Sequence, residues 1–222
     1  MIIYHGSEFI LKKPEFGKGK AYNDYGLGFY CTESLELAKE WACTDKRGGY
    51  ANKYEIDLDN LKVLDLRSKN YNVLHWITLL LQNRVFSITS EVAKEGRDYL
   101  IKNFSIDTSK YDIIKGYRAD DAYFSFAQNF LENTISVQKL KEALELGDLG
   151  EQIVLVSQEA FNKIKFLGYE IATQDIYYSL RKNRDEVARR KYFENRRGLK
   201  EGDIYLVDII MKGIDKNDPR LR

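Results

Sequence analysis

Gly150-Glu151-Gln152-Ile153-Val154-Leu155-Val156 is the stretch on which the fold of this chain turns. Its four consecutive aliphatic residues, Ile153 to Val156, read as a strand buried on both faces. Glu151 and Gln152 put a carboxylate and an amide at the mouth of that strand. Side chains alternate along a strand, so only one of the two can face inward. The residues themselves leave both registers open.

Working outward, residues 1–4 read as a short strand, and residues 54–58 as a half-buried one alternating at period two. Residues 63–66 and 112–114 are expected to add two more, and residues 204–211 to close the chain as a last strand. Residues 33–43 carry Leu35, Ala38, Trp41 and Ala42 at helical spacing, with Thr32 placed to cap them. Two helices are expected between residues 71 and 103, with Leu74, Ile77 and Leu81 on one face of the first. A helix over 120–131 would carry Asp120 and Asp121 in its first turn, where acids favour the helix dipole. Others are expected over 137–146, ended by Gly147, over 158–166, and over 175–197. Residues 11–28, rich in glycine, lysine and asparagine, read as a long loop. The pattern predicts one α+β domain over residues 1–222, with a helical insertion at about 68–110.

Lysine and arginine number 35 and the acids 34, so no global field points to nucleic acid or to a basic partner. Cys31 and Cys43, with no signal peptide, point to a reducing interior without a disulfide framework. The longest apolar run, residues 73–81, falls far short of the ~20 residues a membrane span needs. Histidine and cysteine show no metal-ligand spacing. The chain therefore reads as soluble and cytoplasmic, with no membrane partner and no metal. His75, inside the apolar run, reads as structural, and the arginines of 181–197 as a solvated face.

Two further stretches invite attention. Tyr4-His5-Gly6-Ser7 places one of only two histidines at the end of a short strand, ahead of a glycine. Taken alone it is a turn, with Gly6 supplying backbone freedom. Asn23-Asp24-Tyr25-Gly26-Leu27-Gly28-Phe29-Tyr30 carries two glycines before an aromatic pair. It lacks the lysine and serine or threonine of a phosphate loop, so the glycines read as a tight turn before the strand holding Tyr30.

Together the three stretches resemble the three-part signature of the ADP-ribosyltransferase superfamily, in its poly(ADP-ribose) polymerase and diphtheria-toxin-like branch. His5-Gly6-Ser7 is similar to the first motif, Gly26 to Tyr30 to the second, and Glu151 onward to the third. Ala38 and Trp41 stand where that branch often has a small residue and a second aromatic. The chain is still more similar to a bacterial family of unknown function with an ADP-ribosyltransferase-like core. Residues 23–30, Arg118-Ala119-Asp120-Asp121-Ala122-Tyr123 and Asp218-Pro219-Arg220-Leu221 carry that likeness.

The resemblance implies a split β-sheet core and NAD as substrate. Gly6, beside Ser7, would grip the nicotinamide carboxamide through its backbone, and His5 would hydrogen-bond a ribose hydroxyl. Tyr30 and Trp41 would stack on the cationic nicotinamide ring, worth ~0.5–2 kcal/mol. Arg118, Asp120 and Tyr123 are candidates to reach the same cleft. A group at the head of the third-motif strand would steady the oxocarbenium character that develops at ribose. Likeness to the polymerases puts Glu151 in that role, and likeness to arginine-directed transferases and the bacterial family puts Gln152 there.

The implied activity is transfer of one ADP-ribose to a macromolecular acceptor, protein or nucleic acid, by an intracellular effector held in check by a cognate partner. The alternatives are an NAD-binding or interaction module of weak activity and an NAD glycohydrolase.

Overall fold

Two β-sheets form in the computed structural model, which describes residues 1–119, 121–145, 150–195, 198 and 200–221. The strands are β1 (Ile2–Ser7), β2 (Phe29–Cys31), β3 (Gly49–Ile56), β4 (Val63–Asp65), β5 (Ile113–Tyr117), β6 (Glu151–Leu155) and β7 (Ile164–Ala172). One sheet has the order β1-β3-β7 and is antiparallel throughout. The other has the order β2-β6-β5-β4, with β4 and β5 parallel and the remaining pairs antiparallel.

The two sheets meet at one backbone pair. Tyr4 N–H donates to the Thr32 carbonyl at 2.8 Å, and Thr32 N–H returns the bond to Tyr4 at 2.9 Å. That pair sets β1 beside the end of β2, which brings His5 against Phe29 and Tyr30.

Strand β6 lies inside its sheet, with Ile153, Val154 and Leu155 fully buried. Ile153 and Leu155 pack against Ile3, Tyr54 and Ile113. Val154 packs in the larger core with Tyr25 and Leu64. Alternation therefore places Gln152 on the face of Val154 and Glu151 on the opposite one.

The helices are α1 (Leu35–Ala42), α2 (Val73–Asn83), α3 (Glu91–Phe104), α4 (Asp121–Leu131), α5 (Val137–Glu145), α6 (Gln158–Asn162), α7 (Gln174–Asn195) and α8 (Leu206–Met211). The insertion between β4 and β5 holds α2 and α3, as the apolar spacing predicts. His75 is structural: its Nδ1 lies 3.2 Å from the Asn72 N–H within the box that caps α2.

Five expectations need correction. His5, Gly6 and Ser7 continue β1 opposite Asn52, Ala51 and Tyr50 rather than forming a turn. Ser34, not Thr32, caps α1, its hydroxyl accepting from the Leu37 N–H at 3.3 Å. Helix α6 ends at Asn162, and residues 164–172 pair with β3 as an edge strand rather than extending a helix. Residues 206–211 are helical rather than extended, because Asp208 folds back on the Tyr205 N–H at 3.0 Å and Leu206 seats against Gly96 of α3. Short apolar runs suit either element, and tertiary packing decides. The arginines of α7 are also not one solvated face. Arg184 makes two bonds to the buried Glu40 of α1, at 3.0 and 2.8 Å, and Arg189 pairs with Asp185. Gly147, Arg196 and Arg197 lie outside the described residues.

Cys31 and Cys43 are both buried free thiols. Among the described residues no helix is long and apolar enough to cross a membrane.

Candidate functional site

A cavity of about 810 Å³ opens where the two sheets meet. Its wall is assembled from β1 (His5), the loop ahead of β2 (Asp24, Gly28), β2 itself (Phe29, Tyr30), α1 (Trp41) and β6 (Gln152). Arg84 just after α2, Arg118 and Ala119 after β5, and Arg181 of α7 add to it, as do Leu11 and the loop residues from Lys13 to Asn23 that face it.

His5 is held by both faces of its chemistry. Its Nδ1 lies 2.7 Å from the Tyr30 carbonyl, which can only accept, so the proton sits on Nδ1. Its ring packs on Phe29 with centroids 4.4 Å apart. Burial lowers its pKa, outweighing the carbonyl's pull toward the charged form. A neutral ring with Nδ1–H committed leaves Nε2 as an acceptor.

Tyr30 uses its hydroxyl on its own loop. The O–H donates to the Gly26 carbonyl at 2.7 Å and accepts from the Tyr25 N–H at 3.0 Å. Burial pushes its pKa well up, so this phenol is no acid or base at neutral pH. What it brings to the cavity is a ring and a closed turn, and Gly26 takes the positive φ of 76° that this turn requires.

Asp24 is the least expected member of the wall. Its carboxylate is buried at 4% exposure. Oδ1 accepts from Arg84 at 2.6 Å, and Oδ2 accepts from the Ala119 N–H at 2.8 Å and from Gln152 Nε2 at 3.1 Å. Burial raises its pKa, against the pull of the Ala119 N–H and Arg84.

Gln152 lines the cavity and is itself buried at 6% exposure, and its Oε1 has no hydrogen-bond partner among the described residues. Trp41 Nε1 is a second buried atom without one. Buried polar groups are ordinarily satisfied, so an acceptor and a donor left without partners in two residues of one wall call for an explanation.

The cavity is strongly positive. Lys13, Lys18, Lys20, Arg84, Arg118 and Arg181 face it against two carboxylates, Glu15 and Asp24. With Arg84 paired to Asp24 and the three lysines on the exposed loop, the excess positive charge at the cavity favours an anionic ligand. Arg118 lies over the Trp41 ring, 4.1 Å from its centroid.

Residues 1–166, which include every wall residue named here except Arg181, match the family described as protein of unknown function (DUF3990). The chain belongs to that family. No curated protein and no solved structure matches it.

In this member of the DUF3990 family the register at the head of β6 is resolved. Gln152 lines the cavity, while Glu151 pairs with Arg67 at 2.8 Å away from it. Of the other candidates, His5, Tyr30, Trp41 and Arg118 line the cavity. Gly6, Ser7, Ala38 and Tyr123 do not. A Cβ at Gly6 would overlap the Ala38 carbonyl, so this glycine is needed for the close approach of β1 to α1. Ser7 closes a local turn with Phe9. Ala38 is fully buried beneath β1, and Tyr123 packs in the core beside Phe126. Asp120 lies outside the described residues.

Sequence reasoning missed Asp24 and Arg84. Asp24 sits inside the quoted glycine-aromatic stretch, one residue before Tyr25, and a charge there was the available signal. Arg84 is the first cation after the apolar α2, and only the fold reveals its partner.

Proposed function

We propose that the cavity binds NAD and that the protein transfers one ADP-ribose from it to a macromolecular acceptor, protein or nucleic acid. The observation that carries this reading is convergence. His5, Tyr30, Trp41 and Gln152 come from four separated elements and line a single positively charged cavity. Two sheets joined at Tyr4 and Thr32 are in keeping with an ADP-ribosyltransferase-like core.

On this reading the pyrophosphate lies among the lysines and Arg118, which Trp41 holds in place. His5 Nε2 accepts from a ribose hydroxyl, and the Tyr30 ring flanks the nicotinamide. The orphan Trp41 Nε1 and Gln152 Oε1 take an acceptor and a donor of the ligand. The C–N bond to nicotinamide breaks with its electron pair leaving on that ring. The acceptor's nucleophilic atom bonds the ribose carbon and gives up its proton to water. Groups that meet the cationic ribose better than the ground state accelerate the step.

A second reading is favoured by Gln152 itself. A neutral amide steadies a cationic ribose less than a carboxylate does, which suits an NAD-binding module of weak activity.

Incubation with NAD labelled on the adenylate half separates these readings. Nicotinamide release with label on a macromolecule supports transfer. Saturable binding without release leaves the module, and free ADP-ribose without a labelled acceptor identifies a glycohydrolase. Absence of NAD binding by calorimetry overturns them all.

A further inference from the structure

We propose that Asp24 is a positioning residue that decides which end of the Gln152 amide the cavity presents. The inference rests on the NAD reading for its ligand, and on the geometry alone for its first half.

An amide side chain can turn either end toward a neighbour. Both Asp24 oxygens already accept, one from Arg84 and one from the Ala119 N–H, and an acceptor set this way selects the nitrogen of the amide. Gln152 Nε2 accordingly sits 3.1 Å from Asp24 Oδ2, and Oε1 is left without a partner. Asp24 cannot turn away, because Arg84 holds Oδ1 and the Ala119 N–H holds Oδ2. Arg84 is braced in turn, with its guanidinium 4.5 Å from the Phe124 ring centroid. The result is an unpartnered acceptor held on a residue of the cavity wall, which a hydroxyl or amide donor of the ligand would satisfy.

The same arrangement explains how the site accommodates an amide on β6. The carboxylate of this wall is on the loop before β2, at position 24, and the amide is on β6, at position 152. A glutamate introduced at 152 would stand against Asp24, and two carboxylates at that distance compete for one proton. Exchanging the two groups keeps one amide against one carboxylate, although it takes from Arg84 and the Ala119 N–H the carboxylate they now share.

The test combines an exchange of the two groups with a measurement on the wild-type protein. Asp24→Asn and Gln152→Glu are each expected to lower nicotinamide release about tenfold. The double variant, which again pairs one amide with one carboxylate, is expected to release nicotinamide faster than either single variant, a non-additivity that independent sites do not show. A double variant no faster than the better single variant, or a Gln152→Glu protein faster than wild type, overturns the proposal.

The other arm reads the wild-type protein and needs only Gln152→Met to fold, for assignment. The Gln152 side-chain NH2 resonances, assigned by their absence in Gln152→Met, are expected to be protected from solvent exchange in free wild-type protein, and to stay so with NAD bound. Rapid exchange, or an NH2 that leaves its partner when NAD binds, overturns the proposal. Failure of NAD to bind sinks the NAD reading by itself, since protection in the free protein is read without ligand.

Discussion

His5 donates from Nδ1 to the backbone carbonyl of Tyr30 at 2.7 Å, a bond that crosses from one sheet to the other beside the Tyr4–Thr32 bridge. The imidazole thereby joins the two sheets and presents its second nitrogen to the cavity. It does so as a neutral ring, since burial lowers its pKa, and burial acts on His75 in the same direction.

The sign of the resulting pH dependence follows. Below about pH 6.5 the unfolded chain protonates its histidines more readily than the native chain does, so the unfolded state gains protons and stability falls. The contribution is fully present above 6.5 and is lost as pH drops below it. The urea midpoint of wild type is expected to fall between pH 7.5 and pH 5, and to fall less in His5→Asn/His75→Asn. Equal slopes in the two proteins would remove the histidines from the account.

Gly6 supports the fold and not the ligand. A methyl group there meets the Ala38 carbonyl and the Ala42 N–H, backbone atoms of α1 that cannot rotate aside. Gly6→Ala is expected to cost roughly 3 kcal/mol through overpacking. Chemical denaturation measures the loss, and a variant as stable as wild type would show that β1 and α1 tolerate separation.

Tyr30→Phe keeps the ring and removes both hydrogen bonds of the hydroxyl. The Tyr25 N–H and Gly26 carbonyl lose their partner, at a cost of about 1–3 kcal/mol. NAD affinity is expected to change less than it does in Tyr30→Ala, because the ring stays. Calorimetric titration of both variants checks this, and equal losses would assign the hydroxyl a ligand contact.

Glu151 and Gln152 separate cleanly by substitution. The Glu151–Arg67 pair is partly exposed, with side chains 29% and 48% accessible, so Glu151→Gln is expected to cost under about 1 kcal/mol and leave nicotinamide release unchanged. Gln152→Met is expected to lower release or binding with little loss of stability. The reverse ranking in a release assay would show that Glu151 serves the cavity.

The buried strand Ile153 to Val154 to Leu155, the amphipathic α1 and the paired helices α2 and α3 were all legible in the chain, because each carries its apolar pattern within a few residues. The resemblance nominated His5, Tyr30 and Trp41 as members of one constellation and left Glu151 and Gln152 both as candidates for its last place. Edge strand β7 and helix α8 were not legible, since their short apolar runs suit either element and partners distant in sequence choose between them. Nor was the register at 151 and 152, which depends on whether Val154 turns its side chain to the helical core or away from it. Asp24, Arg84 and Gln152 lie 60 and 128 positions apart from the first to the others, and a carboxylate's partners are fixed by where the backbone carries them. Local pattern determined the elements and nominated the residues. Only burial in three dimensions, which leaves each polar group to the partner within reach, decided which of them face the cavity.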